Sequence, residues 1–159
     1  MTQEDRNLLL KDLCPRLLYN VVIRCTDNDT DYKCFLTTGI LNELLHNTEY
    51  YDYKPYLRPM SSMTEEELKQ FAILNFQDNE IWEISDLSVI NNDFVNVRCK
   101  HKHQEEETEW TLWTFQISKR EMLKSWRGID WLTEHHFDFR GLIDKGLALE
   151  APEDMYKTS

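Results

Sequence analysis

The chain is poor in the two residues that usually build flexible connections. It holds four glycines and four prolines among 159 residues, so no long glycine- or proline-rich linker divides it. Hydrophobic residues make up 41% and aromatic residues 12% of the chain, which is too apolar for an intrinsically disordered protein. A chain of this length suits one domain with its own core, and we predict a single domain over residues 1–159.

Positive charge is the second shortage. Lys and Arg number 18 against 29 Asp and Glu, which gives a formal net charge of −11. An acidic excess of this size repels nucleic-acid phosphates and anionic membrane surfaces, so we expect neither direct nucleic-acid binding nor membrane association. The same carboxylates suit a basic partner protein, and they also suit an inhibitor that imitates nucleic acid.

Cysteine pairs and long apolar runs are missing as well. None of the four cysteines stands in a CxxC pair, and no window reaches the roughly 18 consecutive apolar residues of a transmembrane helix. The first residues carry charges from position 4 and lack the apolar run of a signal peptide. We therefore predict a cytoplasmic protein with reduced thiols. In this setting Cys25 and Cys34, facing each other across a hairpin, act as small core residues.

Helix signals are present near the N-terminus and in the middle of the chain. Thr2 can cap a helix over residues 2–13, and Pro15 disfavours helical geometry at the residue before it, so this helix is predicted to end there. Thr64 with Glu67 forms a capping box. Residues 39–47 fit a helix or a strand equally well.

A second capping box, Ser118 with Glu121, predicts one long helix through residues 118–136. Gly128 interrupts its apolar face, which indicates a kink or a close packing contact at that position. A short final helix is predicted from Asp138 as its cap towards Gly146.

Strand signals lie between these helices. Residues 19–26 and 32–38 read as a hairpin, and residues 80–90 as one bent strand or two. The segment EYYDYKPYLRPM alternates aromatic and polar residues but contains Pro55 and Pro59, which indicates a strand at an edge that leads into an ordered loop. The predicted fold class is α+β, with antiparallel β-hairpins forming a small sheet and three to four peripheral helices.

Residues 94–115 form the most patterned stretch of the chain. Apolar and charged residues alternate through RCKHKHQEEETEW, as in a two-stranded ribbon with one buried face. A tight turn at residues 104–105 would place Lys100 opposite Glu109 and Cys99 opposite Trp110, pairing charge with charge and apolar with apolar. The register depends on that turn, because Gln-Glu is a poor two-residue turn and a longer loop would shift it.

The same stretch offers a weak alternative as a metal site. Cys99, His101 and His103 alternate on one face, and a thiolate with two imidazoles can bind zinc. A structural zinc site needs a fourth protein ligand that the spacing does not supply, whereas a catalytic site would leave that position to water. The charge-paired hairpin also explains the lysines and glutamates, so we favour it and predict no metal or other cofactor.

A second cluster of polar residues is HHFDFRG, residues 135–141. A histidine, an aspartate and an arginine together can perform acid–base chemistry. The structural interpretation is stronger, because His135 and His136 at the end of a helix complement its dipole and Asp138 can cap the next helix. No GxSxG, P-loop, GxGxxG or HExxH motif is present, and we predict no catalytic residue and no enzyme activity.

Three segments carry a resemblance. LLLKDLCPRLLY, YKPYLRPMSSMTEEE and DWLTEHHFDFRGLIDKGLALEAPEDMY are similar to a family of uncharacterised proteins encoded by gut anaerobic bacteria and by their bacteriophages and prophages. The matching residues, 8–19, 53–67 and 130–156, cover about a third of the chain. The resemblance implies a phage or mobile-element origin and a cytoplasmic location, and it transfers no active-site residue.

The function that these features predict is binding to another protein by a non-enzymatic accessory protein. Exposed aromatic residues beside carboxylates are typical of such surfaces. The best candidates are the tyrosines of EYYDYKPY, namely Tyr50, Tyr51, Tyr53 and Tyr56. An acidic inhibitor of a nucleic-acid-binding protein is the alternative, and a metal-dependent enzyme at Cys99, His101 and His103 is the third possibility.

Overall fold

The chain divides into two compact units in a computed structural model that describes residues 1–27, 30–46, 51–76, 82–91, 94–101 and 112–156. Unit 1 comprises Met1–Met60 and Leu132–Ser159, and unit 2 comprises Ser61–Trp131. The described helices are α1 (Gln3–Arg16), α2 (Thr38–His46), α3 (Glu65–Phe76), α4 (Lys119–Met122) and α5 (Trp126–Glu134), with a 3₁₀ turn at Met60–Ser62. The described strands are β1 (Val22–Asp27), β2 (Thr30–Phe35), β3 (Asp52–Leu57), β4 (Trp82–Asn91), β5 (Phe94–His101), β6 (Leu112–Ser118) and β7 (Leu149–Glu150).

The fold class is α+β, as predicted. The strands form two sheets instead of one, in the orders β2-β1-β3-β7 and β4-β5-β6, and all pairs except β3–β7 are antiparallel. Five helices are described instead of three to four, since residues 38–46 fold as a helix and the long helix predicted over residues 118–136 is two helices.

The sheet of unit 1 buries one face beneath α1 and α2. Inward-facing Ile23, Cys25 and Leu57 are buried and alternate with more exposed residues along their strands, as expected for a half-buried sheet. The other buried hydrophobic residues of this core are Leu9, Leu13, Val21, Leu36, Ile40, Leu41, Leu44, Tyr53, Leu142 and Ala148. The predicted hairpin of residues 19–38 is thus confirmed as β1 and β2 on this core.

Helix α1 runs past the predicted stop. Thr2 caps it by accepting from Asp5 N at 3.1 Å, as predicted, but the helix continues through Pro15 to Arg16. A proline removes one backbone hydrogen bond and crowds one carbonyl. In the last turn this penalty is offset because Arg16 is fully buried and bound by several partners.

Pro55 lies in an inner strand, contrary to the edge position predicted from it. It pairs with Ile23 of β1, while pairing of β3 with β7 begins only at Tyr56. The described strand β7 comprises only Leu149–Glu150, so no β7 carbonyl faces the Pro55 nitrogen on the side of β3 away from β1. A missing N–H costs little there, which reconciles the proline with the sheet.

Unit 2 is a three-stranded sheet with helices packed against it. α3 packs against β4 and β5, and α4 packs against β6. The buried hydrophobic residues on these elements and next to them are Met63, Leu68, Phe71, Ala72, Val95, Val97, Cys99 and Met122. Helix α3 begins at the predicted capping box, in which Thr64 N donates to Glu67 Oε2 at 2.8 Å and Glu67 N to Thr64 Oγ1 at 3.2 Å.

The register predicted for residues 94–115 is wrong by three residues. Cys99 pairs with Trp113, not Trp110, and Lys100 pairs with Leu112, not Glu109. Residues 102–111, which include the predicted turn at residues 104–105, lie outside the described residues. The predicted separation of faces is present on β5, because Val95, Val97 and Cys99 are buried and alternate with more exposed residues. Lys100 Nζ lies 3.9 Å from Glu83 Oε2 on β4.

The segment that begins at Ser118 contains two helices. Its capping box is formed, with Glu121 N donating to Ser118 Oγ at 3.3 Å and Ser118 N to Glu121 Oε2 at 3.0 Å. The helix nevertheless breaks after Met122 and resumes at Trp126. Gly128 lies inside α5, and a Cβ added there would lie only 2.8 Å from Phe71 Cε2. Of the predicted kink and close packing contact, the structure therefore shows the packing contact.

Candidate functional site

Cys99 and His101, two of the three weak candidates for metal ligands, lie in different environments. Cys99 is buried on the inner face of β5, and burial raises the pKa of its thiol, which favours the protonated form over the thiolate that binds metal. The His101 ring contacts Trp82 edge-on, with 5.5 Å between ring centroids. His103 lies outside the described residues, and within the described part of the chain no group of three or more His, Cys, Asp and Glu could hold an ion.

The tyrosines proposed for protein binding lie in different environments. Tyr53 is 9% exposed and its hydroxyl donates to the Glu43 carboxylate. Burial and this hydrogen bond raise the Tyr53 pKa well above its usual value. Tyr53 is therefore a core residue and cannot offer its ring to a partner, whereas Tyr51 is exposed and Tyr56 is half-buried. Tyr50 lies outside the described residues.

The outer face of the unit 1 sheet carries mixed charges and aromatic rings. Arg24 Nη2 lies 3.3 Å from Asp52 Oδ2, and Lys33 Nζ lies 5.1 Å from the Tyr56 ring centroid. Phe35 at the end of β2 is 61% exposed. An exposed phenylalanine beside a cation–π pair and an ion pair has the composition of a protein-binding surface.

Strand β2 is the edge of this sheet in the described part of the chain. Leu36 N donates to Val21 O at 2.8 Å, so the even-numbered residues of this strand point their backbone groups at β1. By alternation, Asp31, Lys33 and Phe35 point their backbone N–H and C=O groups away from β1. We call these outward backbone groups the β2 edge. Nearly all residues of β2 are exposed, so the edge is accessible to an extended segment of another chain.

The polar cluster of residues 135–141 is structural where the contacts are described. Asp138 Oδ1 and Oδ2 accept from Leu142 N and Ile143 N, each at 2.8 Å. These donors lie four and five residues on, whereas a helix N-cap accepts from the N–H two or three residues on, so the predicted helix cap at Asp138 is wrong. Gly146 adopts φ +69° and closes the segment, but the residues between form turns and not the predicted helix.

His136 was predicted to be a cation in the last turn of a helix, and the structure differs on both points. It adopts φ +61°, and the bonds His136 N to Thr133 O and Phe137 N to Leu132 O form a Schellman motif, in which glycine is usual. Its ring stacks on Tyr156 with 3.8 Å between centroids. Burial, followed by the charge of Arg16, lowers the His136 pKa to about 4, so the imidazole is neutral near neutral pH.

Sequence reasoning missed the ion pair that organises this part of unit 1. Arg16 Nε and Nη2 donate to Asp12 at 2.7 and 3.1 Å, and Arg16 Nη2 also donates to Phe137 O at 2.8 Å. Arg140 Nε lies 3.3 Å from the same Asp12 carboxylate. The signal available was the spacing of Asp12 and Arg16, four residues apart on one helix, although spacing does not reveal burial.

Comparisons with known proteins return nothing for this chain. No family model, no curated protein and no solved structure matches it. Among the described helices, none combines the length and the apolar character needed to cross a membrane.

Proposed function

We propose that this protein is a non-enzymatic accessory protein that binds another protein by strand addition at the β2 edge. The observation that carries the proposal is the set of outward backbone groups of Asp31, Lys33 and Phe35 on an exposed edge strand. An extended peptide satisfies such groups with backbone hydrogen bonds, while neighbouring side chains give specificity.

The occupant is an extended, basic segment of a partner protein. The chain carries a net charge of −11, and this charge attracts basic partners and accelerates their association. Phe35, at the end of the strand, offers a large apolar contact for a side chain of the added strand. In keeping with the resemblance described above, we place the protein in the cytoplasm of a gut anaerobic bacterium, with a phage or mobile-element origin.

The test compares Lys33→Pro with Lys33→Ala in a capture experiment from a lysate of a gut anaerobic bacterium. Both substitutions remove the lysine and its contact with Tyr56. The proline alone removes the outward N–H, and it leaves the β1–β2 hydrogen bonds in place because they involve the alternate residues. We expect a protein that the wild type and Lys33→Ala retain and that Lys33→Pro loses.

Two further measurements sharpen this result. Backbone amide exchange at Asp31, Lys33 and Phe35 should slow when the captured partner is added, because these N–H groups enter new hydrogen bonds. Equal capture by both variants, or no slowing of exchange, would refute strand addition. Capture that disappears at high salt, regardless of the proline, would point instead to the acidic inhibitor.

A further inference from the structure

Two cysteines of unit 1 lie side by side on neighbouring strands. Cys25 on β1 and Cys34 on β2 are diagonal neighbours, because Cys25 pairs with Tyr32 and Cys34 with Ile23. Their Sγ atoms are 2.8 Å apart, with one thiol donating to the other. Both are free thiols in this structure.

The 2.8 Å distance between Cys25 Sγ and Cys34 Sγ suits disulfide formation better than metal binding. Two thiolates bound to one tetrahedral zinc ion at about 2.3 Å stand roughly 3.8 Å apart, so this pair is too close to hold a metal ion between the sulfurs. A disulfide needs about 2.05 Å, so the two sulfurs have to approach by less than about 1 Å to form the bond. The arrangement is that of a dithiol ready to close.

We propose that Cys25 and Cys34 are a reversible dithiol–disulfide site that reacts with low-molecular-weight disulfides such as oxidised glutathione. This inference does not depend on the proposed protein-binding function. It concerns the same hairpin, however, because the bond would tie the edge strand β2 to β1.

The order of the two steps follows from exposure. Cys34 is half-buried, whereas Cys25 is 1% exposed. Burial, together with the hydrogen bond between the two thiols, raises the Cys25 pKa to about 12, so Cys25 is a poor first nucleophile. Cys34 therefore reacts first with the small disulfide, and Cys25 resolves the product.

Each step balances in atoms and electrons. Cys34 loses its proton, and its sulfur attacks one sulfur of the small disulfide, breaking the S–S bond and releasing one thiol. Cys25 then loses its proton and attacks Cys34 Sγ, which breaks the mixed disulfide and releases the second thiol. The protein dithiol is oxidised by two electrons and the small disulfide is reduced by two.

The experiment is a titration of the folded protein with glutathione buffers of increasing oxidised fraction. It uses the Cys14→Ser background, because exposed Cys14 would form adducts of its own. Acid quenching, alkylation and intact mass then count free thiols. We expect the count to fall from three to one, with Cys99 still free, and a peptide map to join Cys25 to Cys34. Reduced glutathione should restore all three thiols.

Two variants test the order of events. Cys25→Ser should stop at a glutathione adduct on Cys34, and Cys34→Ser should leave Cys25 unmodified. Three free thiols in the fully oxidising buffer, or a lasting adduct on Cys34 while Cys25 is present, would overturn the proposal. The titration of the Cys14→Ser protein decides the question even where a further variant fails to fold, because it leaves both cysteines of the pair in place.

Discussion

The two units bury different kinds of side chain. The centre of unit 1 includes a fully buried Arg16 with its carboxylate partner, whereas the core of unit 2 is built around Phe71, Val95 and Val97. A buried charge must keep every hydrogen-bond partner, while an apolar core depends on shape. We therefore expect unit 1 to be sensitive to charge changes and unit 2 to changes in volume.

The contrast is clearest in two ion pairs with the same spacing. Asp12 and Arg16 on α1, and Glu65 and Lys69 on α3, are both four residues apart, at 2.7 and 3.0 Å. The first pair is fully buried, whereas the Glu65 side chain is 66% exposed. Because water screens the second pair, the same spacing corresponds to very different energies.

The aromatic residues allow the two units to be followed separately. All seven tyrosines lie in unit 1 and all five tryptophans in unit 2. Tyrosine absorbance, resolved from that of tryptophan in the second-derivative spectrum, therefore reports on unit 1, and tryptophan fluorescence reports on unit 2.

The largest expected effect is that of Asp12→Ala. It leaves the Arg16 guanidinium buried without its carboxylate, and removal of one partner from a buried pair typically costs about 3–5 kcal/mol. Urea unfolding followed by tyrosine absorbance should show this loss. The matched control is Glu65→Ala, which should change the stability reported by tryptophan fluorescence by less than about 1 kcal/mol. Equal losses in the two variants would remove the contrast between buried and exposed pairs.

A smaller effect is expected from pH. The folded pKa of His136 is about 4 against an ordinary value of 6.5, so between these values the unfolded chain binds a proton that the folded chain excludes. Stability therefore falls as the pH drops through this window, by about 2 kcal/mol between about pH 7 and pH 5. The measurement is the urea midpoint from tyrosine absorbance at each pH.

His136→Asn isolates this contribution, because asparagine tolerates positive φ and does not titrate in this range. The variant should lose the His136 share of the pH dependence, whatever its stability at neutral pH. His46→Asn, at an exposed histidine in the last turn of α2, is the matched control for the substitution itself. An unchanged slope in His136→Asn would mean that other groups cause the acid sensitivity.

Local signals were sufficient for parts of this fold. The caps at Thr2, Thr64 and Ser118 were predictable because a cap needs only a side chain and a backbone N–H within a few residues. At Asp138 neither the predicted cap nor its helix is present, because the carboxylate accepts from Leu142 N and Ile143 N instead. An aspartate can stabilise a series of turns as well as a helix start, and the sequence alone does not distinguish the two.

Contacts between distant residues account for most of what could not be predicted. The burial of Arg16 depends on carbonyls of Thr133 and Phe137, more than a hundred residues away, and no local pattern encodes that meeting. The β5–β6 register failed because it depended on a turn whose length the sequence does not give. The β2 edge was not predicted for a related reason. The tyrosine-rich segment indicated β3 as the binding strand, but strand order places β2 at the edge of the sheet and β3 inside it.

The smallest expected effect tests shape in unit 2. A Cβ at Gly128 would lie 2.8 Å from Phe71 Cε2 and 2.9 Å from Met122 O, and one of these contacts is with backbone that cannot rotate away. Gly128→Ala gains up to about 1 kcal/mol of helix propensity but incurs about 1–3 kcal/mol of overpacking. We expect a net loss of about 1 kcal/mol, measured by urea unfolding with tryptophan fluorescence.

Gly39→Ala provides the matched control for this prediction. Its new Cβ would meet Thr37 Oγ1 at 3.5 Å, an ordinary contact, in the first turn of α2. The same propensity gain then has nothing to oppose it, so the tyrosine-reported stability should stay level or rise by up to about 1 kcal/mol. If both glycine substitutions increased stability, Phe71 and the α4 backbone would have moved to accommodate the new methyl group at little cost. The stability of unit 2 would then depend less on the exact shape of its core than its close packing implies.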